Sequence, residues 1–266
     1  MHRSATSLIT HWLYECGLEI GESLLGPGIG NIEGHFEDLE FFKLHVEILR
    51  ENNFDHSGII DHSVGDIPSD YKEKIKDLIE SKNRRFFQWG WKEPRTCLFL
   101  DFYRDILPDA CYLVVYRSYQ FVVISLLKRA FANFDNLYNT RKSYLSKWAW
   151  YKVRRKRFFK KFCRQHSDYF LKVWIFYNEQ ILKNISNLTP ERYLVLNYSM
   201  LNSKDHDVLS FLINNWQFSL QYKKFSDTYN EKLFSEPFNM ESYISDKELI
   251  NKAKNLENVL ETYAGF

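Results

Sequence analysis

The sequence predicts an α/β fold: a parallel sheet flanked by helices, with a basic helical insertion. Three observations lead there. The runs CYLVVYR and RYLVLNY are short, largely apolar and rich in β-branched or aromatic residues, as strands buried on both faces are. Segments with helical apolar spacing surround them, and strands that alternate with helices pack as a parallel sheet covered on both sides. At 266 residues, 45% hydrophobic and 17% aromatic, the chain can bury a substantial core and is not disordered. Residues 1–266 are expected to form one domain, with 133–166 as the basic helical insertion.

The elements follow in order. From Ser4 to Cys16 the apolar residues Leu8, Ile9, Trp12 and Leu13 recur at helical spacing, and Gly17 is a stop signal. LLGPGIGNIEG is a loop by its glycines and proline. Residues 37–52 predict a second helix, and DIPSDYKEKIKDLIESK a surface helix with Pro68 near its start. FFQWGWKEPR reads as a strand ending at a proline, and TCLFLDFYRDIL as a helix. CYLVVYR is a buried strand, SYQFVVISLLKRAF a helix and RYLVLNY another strand. Helices are expected at 199–214 and 246–262.

Charge is distributed unevenly. Residues 141–164 carry eleven Lys or Arg, and no acidic residue lies between Asp135 and Asp168. Of 36 basic residues, 25 remain elsewhere against 34 acidic ones, so the body carries −9 beneath a total of +2. A basic segment on an acidic body suggests an anionic partner there. Cys16, Cys97, Cys111 and Cys163 show no paired spacing, which suits reduced thiols and a cytoplasmic chain. The N-terminus lacks an apolar run before its first charges, and CYLVVYRSYQFVVISLL is broken by Arg117.

In parallel sheets, ligands bind beyond the carboxyl ends of the strands. Lys92, Arg117 and Tyr198 all fall at or just past such predicted ends. The opening turn offers an anion site of its own. Arg3 supplies a fork of donors, Ser4, Thr6 and Ser7 supply hydroxyls, and the first N–H groups of a helix await acceptors. The competing reading is a helix capped by Ser4 beside an incidental arginine. Arg117, with Ser125 eight residues on in the following helix, can converge on a second phosphate, or be a surface arginine and a buried helical serine. Lys92 alone would be a solvated charge; the three pieces gain weight together.

RSATS, NIEGHFED, WGWKEPRTCLFLDFYRDILPDA and VVYRSYQFVVISLLKR together resemble bacterial sulfotransferases that use 3′-phosphoadenylyl sulfate (PAPS). The resemblance spans about residues 1–130 and resumes at YFLKVWIFYNEQIL and YLVLNYSMLNSKDHDVLSFLINNW. The order also resembles the core of tyrosylprotein sulfotransferases. It implies a P-loop-NTPase-like sheet and transfer of a sulfuryl group to a hydroxyl, with carbohydrate as the expected acceptor class and small molecules or peptides open. It implies that Arg3 and the turn of Ser4, Ala5, Thr6 and Ser7 bind the 5′-phosphosulfate, and that Arg117 and Ser125 bind the 3′-phosphate. Tyr198 matches a tyrosine near the nucleotide, and Lys92 a lysine that stabilises the leaving oxygen. Within N-x-x-G-x-x-E, matched by Asn31, Gly34 and Glu37, the glutamate is the implied base, or a carboxylate favoured by a helix N-terminus. His35 is its rival and Glu33 a third choice. No metal is implied.

The sequence departs from that pattern in places. Ala5 stands where the family prefers Gly; at a positive φ it costs roughly 1 kcal/mol. Ser118-Tyr119-Gln120 replaces a commoner start to the helix after Arg117. The strand that delivers the opening turn in the family has no counterpart before Met1, which reads as the internal methionine of a G-M-H-R-S-type turn. Four to six β-branched or apolar residues ending in Gly are expected upstream, and a strand-wide gap beside Ser4 in the fold.

Other chemistries lack their signatures. There is no G-x-x-x-x-G-K-[ST], H-E-x-x-H, C-x-x-C or G-x-S-x-G, and Asp55-His56 and Asp61-His62 sit in loops as solvated pairs. The segment RKSYLSKWAWYKVRRKRFFKKFCR can be a solvated helical face. It can instead hold an acidic polysaccharide acceptor or rest on anionic membrane through Trp148, Trp150, Phe158, Phe159 and Phe162, a membrane-peripheral placement. No nucleic-acid reader fold accompanies it. The alternative function is a non-catalytic polyanion- or membrane-binding relative with a degraded nucleotide site.

Overall fold

The computed structural model describes residues 1–26, 34–141, 143–228 and 239–265. The chain is mostly helical around a small parallel sheet. Helix α1 spans Thr6–Glu15, α2 Leu39–Glu51, α3 Ser69–Arg85 and α4 Leu100–Ile106. Strand β1, Tyr112–Tyr116, is followed by α5, Tyr119–Arg141. Then come α6, Tyr144–Ala149, a π turn at Trp150–Arg154, and the long α7, Arg155–Ile185. Strand β2 is Tyr193–Asn197, and α8 (Leu201–Trp216), α9 (Phe225–Thr228) and α10 (Lys247–Tyr263) complete the fold.

The two strands pair directly and in parallel, Tyr112 opposite Tyr193 through Tyr116 opposite Asn197. Because side chains alternate along a strand, each face takes its own set. Val115, Leu194 and Leu196 pack with Ile9, Trp12 and Leu13 of α1 and with Val208, Leu209 and Leu212 of α8. Tyr116 and Val195 face the other way, into a core built on α5, α7 and α10. That double coverage explains the near-continuous apolar runs. A third cluster joins α2, α3 and α4 around Phe41, Ile48, Ile75 and Tyr103.

Helix ends follow local chemistry. Ile9, Trp12 and Leu13 lie at i, i+3 and i+4, so α1 is held by one buried stripe. It stops at Gly17, which adopts φ +100° while Leu18 N–H bonds back to Leu13 O at 3.0 Å. Asp38 caps α2 by accepting from Glu40 N at 2.8 Å. Helix α5 runs on to Arg141, well past Phe131, the last residue of the expected helix.

Two expected elements differ. FFQWGWKEPR forms no strand; a single parallel bridge joins Trp89 to Glu19, and Pro94–Leu98 coils into a 3₁₀ turn before α4. The reason is on its other side. Between residues 89–93 and the far edge of β1 lies a cleft of about 650 Å³, lined by Trp91, Leu113, Val115, Ile185, Met1 and Thr6 among others. A ladder needs a neighbour at hydrogen-bond distance, and on this side the cleft intervenes. This cleft lies between the 89–93 segment and β1; Ser4, beside which the sequence predicts a gap, is not among its lining residues. No helix among the described residues is long and apolar enough to cross a membrane. The four cysteines are free thiols.

Candidate functional site

The turn ahead of α1 is shaped by two left-handed residues, Arg3 at φ 64° and Ala5 at φ 66°. Ala5, not Ser4, occupies the N-cap position, and no side chain caps the helix. Capping by Ser4 is therefore not what places that serine, which is buried within the turn. The first turn of α1 carries no acidic residue, so the positive end of its dipole faces the site without a resident carboxylate of its own.

The turn reaches in two directions. On one side, Arg3 Nε donates to Ser125 Oγ at 2.7 Å, joining the turn to α5. Arg117, just past β1, is buried and its guanidinium lies 4.9 Å from the rings of both Phe121 and Tyr198. Trp174 Nε1 donates to the Arg117 carbonyl at 3.1 Å, fixing the chain where strand becomes helix. Burial, with the neighbouring Arg129 and Arg117 guanidinia, lowers Arg3 to about 10. Arg3, Ser125, Arg117 and Tyr198 thus share one positive corner.

On the other side stands Lys92. Its Nζ donates to Ser7 Oγ at 3.1 Å, to the His35 carbonyl at 2.5 Å and to Glu37 Oε1 at 3.0 Å. Loop residues reach it because Leu25 N–H bonds to Glu37 O at 2.8 Å and His35 N–H to Leu25 O at 3.1 Å, an antiparallel pairing of the two described arms of that loop. His35 Nδ1 lies 3.8 Å from Glu37 Oε1. Burial raises the Glu37 carboxyl above its ordinary value despite the ammonium beside it. Burial likewise lowers Lys92, against the pull of Glu37. His35 is brought down to about 4, first by burial and then by Lys92. It is a neutral imidazole near pH 7.

Of the residues singled out from sequence, Arg3, Ser125, Arg117 and Tyr198 meet in the first group, and Ser7, Lys92, His35 and Glu37 in the second. Ser4 and Ala5 shape the turn between them. Thr6 begins α1, and its carbonyl accepts from Thr10 Oγ1 at 2.8 Å. Asn31 and Glu33 lie outside the described residues. Asp55, His56 and His62 are solvent-facing or nearly so, and no group of His, Cys, Asp or Glu among the described residues gathers as a metal site.

Several participants escaped the sequence reading. Arg129 acts electrostatically on Arg3, His35 and His2, and its spacing of four from Ser125 on α5 was the available signal. Behind Lys92, Glu93 accepts from Arg95 N at 2.9 Å, while its other contacts are His45 Nδ1 at 2.6 Å and the Arg95 guanidinium. His45 Nε2 lies 2.7 Å from Tyr103 Oη. Desolvation alone would raise Glu93; His45, Arg95 and His2 instead hold it down at about 2. This buried network anchors the segment from which Lys92 projects. Lys82 is buried too, its Nζ 2.8 Å from both Asp38 and Glu40, and braces the start of α2 next to Glu37. Nothing in the local pattern of either segment announced those partners.

Comparison with known proteins found no matching family model, no matching curated protein and no matching solved structure.

Proposed function

We propose that this protein is a PAPS-dependent sulfotransferase acting on a hydroxyl acceptor, with carbohydrate hydroxyls the first class to test. The observation that carries the reading is the double attachment of one turn: Arg3 to Ser125 on one side, Ser7 to Lys92 and thence Glu37 on the other. A positive corner and a lysine–carboxylate pair are thereby tied to one turn, an arrangement that suits a donor bearing two phosphates and an acceptor hydroxyl that must lose its proton. The sequence resemblance to PAPS-dependent sulfotransferases supports it, and with it a P-loop-NTPase-like arrangement of the sheet.

In this reading Arg117 and Ser125 hold the 3′-phosphate, with Tyr198 beside the nucleotide. Arg3 and the Ser4–Ser7 turn hold the 5′-phosphosulfate. Burial and like charges depress Arg3, and an anion in the corner relieves both costs. The acceptor oxygen attacks sulfur as the bond from sulfur to the 5′-phosphate oxygen breaks. The electron pair leaves on that phosphate oxygen, and the acceptor proton passes to a base. Products are a sulfate ester and adenosine 3′,5′-bisphosphate. Lys92 balances charge on the leaving oxygen, an interaction that strengthens as the bond breaks. Glu37 is the better base, because burial raises it whereas His35 is lowered to about 4. Lys92 must then exchange Glu37 for the leaving oxygen, which frees the carboxylate to take the proton.

A second reading, a non-catalytic polyanion- or membrane-binding relative, is favoured by Ala5, whose left-handed φ of 66° strains the turn that would grip the donor. Calorimetry with adenosine 3′,5′-bisphosphate against 5′-AMP separates the two. The sulfotransferase reading expects at least tenfold tighter binding of the bisphosphate, from one charge-assisted Arg–phosphate interaction of about 1.5–3 kcal/mol. Indifference to the 3′-phosphate removes PAPS as the donor and leaves the second reading.

A further inference from the structure

The hairpin made by the end of α5, α6, the π turn and the start of α7 gathers most of the exposed apolar surface. Of thirteen exposed large hydrophobic side chains among the described residues, eight lie between Phe134 and Phe158. Leu145 is 77% exposed, Trp148 57% and Phe158 50%. These side chains are held outward by an ordered base. Trp150, fully buried, stacks on Tyr138 with centroids 3.9 Å apart, and its Nε1 donates to Asp135 Oδ1 at 2.9 Å. Arg155 adds a two-pronged pair to the same carboxylate at 2.7–3.0 Å.

Cations run through the same surface. Lys152, Arg154, Lys156, Arg157, Lys160 and Lys161 are exposed, and none of these six forms an ion pair with a carboxylate among the described residues. Arg155 takes Asp135, and no further acidic residue follows until Asp168. Their field is therefore not cancelled locally, although the rest of the chain is acidic.

We propose that this hairpin docks the protein onto an anionic lipid surface, with the cations against headgroups and Leu145, Trp148 and Phe158 in the interfacial layer. Charge alone would also suit an acidic polysaccharide. The exposed Leu145, Val153 and Phe158 decide between them, because a sugar polyanion offers these side chains no apolar phase and a bilayer interface does. A helical surface that interleaves Trp, Phe and Leu with Lys and Arg, and that spans nothing, has the chemistry of an interfacial segment. The inference is independent of the nucleotide site.

Co-sedimentation of the full chain with vesicles tests it, using phosphatidylcholine alone and a 7:3 mixture with phosphatidylserine. Binding is expected to the mixed vesicles only, and to fall steeply between low and high salt. Replacing Lys156, Arg157, Lys160 and Lys161 with Gln should lower the partition on the order of 100-fold or more. The pair Leu145→Ser and Phe158→Ser should lower it roughly tenfold or more. Should a variant lose its helical circular dichroism, the parent protein still answers: a blue shift in tryptophan emission on mixed vesicles, absent in Trp148→Phe, supports insertion. No affinity for mixed vesicles overturns the proposal. So does vesicle binding indifferent to Leu145 and Phe158, or capture by heparin-like polysaccharide with vesicles ignored, which would assign the surface to an acidic sugar.

Discussion

Lys92 sits between a hydroxyl, a carbonyl and a carboxylate, and its neighbours' protonation follows from that crowding. Burial raises Glu37 and lowers His35 to about 4, so the two candidate bases part company. Under the proposed sulfotransferase reading, Glu37→Gln should lower sulfate transfer about 10²–10⁴-fold while leaving adenosine bisphosphate affinity within about twofold. Abolished transfer in His35→Ala, with Glu37→Gln active, would hand the base role to His35. Arg117→Ala should instead weaken the bisphosphate about tenfold or more, since it loses a charge-assisted contact at a buried position. Calorimetry on each variant reads the difference. The same environment shapes acid stability. His35 is lowered below its ordinary 6.5, so between about pH 4 and 6.5 the unfolded chain binds more protons and stability falls as pH drops through that window. His2, lowered by burial and Arg95, works in the same direction; Glu37, raised, works oppositely above its ordinary 4.5. Urea unfolding across pH 4–7 should therefore show a positive slope that His35→Gln flattens in part.

Helix α1 carries the site on its first turn and depends on unusual backbone at both ends. Gly17 takes φ +100° with open space where a Cβ would go, so Gly17→Ala tests backbone strain alone. It should cost about 1 kcal/mol in urea unfolding. Ala5 is the mirror case, with a Cβ where φ is 66°. Ala5→Gly should gain up to about 1 kcal/mol, offset in part by the extra freedom of glycine in the unfolded chain. A gain together with unchanged or tighter nucleotide binding supports a strained turn. A loss would mean that the Ala5 methyl makes a contact worth more than the strain.

The fold as a whole is asymmetric around its sheet. One edge of β1 holds β2, and the other looks across a cleft of about 650 Å³ toward residues 89–93. Apolar side chains such as Leu113, Val115 and Ile185 line it, as does Met1, itself buried. An extended segment fills such a space well, because it pairs with β1 and covers apolar surface together. Appending a five-residue segment, four β-branched residues followed by Gly, ahead of Met1 should raise the thermal midpoint by several degrees, as roughly 1–2 kcal/mol does for a domain of this size. An appended Lys-rich segment of the same length should not. Equal midpoints for both extensions would show that the cleft does not accept a strand.

Local pattern was enough for much of this. The apolar stripe of α1 and its stop at Gly17, the two strands at 112–116 and 193–197, and the placing of Arg117 and Ser125 on a strand end and the next helix all follow from periodicity and backbone chemistry. Such signals say which face is buried and where a chain must turn. They do not say what lies across a gap. Residues 86–93 have strand composition but no ladder, because hydrogen bonding needs a neighbour at strand spacing and the cleft intervenes. Nor does local pattern say which charges are buried together. Lys82 with Asp38, His45 with Glu93 and Tyr103, and Arg3 with Ser125 join residues 44, 48, 58 and 122 positions apart. A charge is buried only where a distant partner compensates its lost hydration. That condition is met in three dimensions, and with it the pairing of Lys92 with Glu37 on which the proposed chemistry rests.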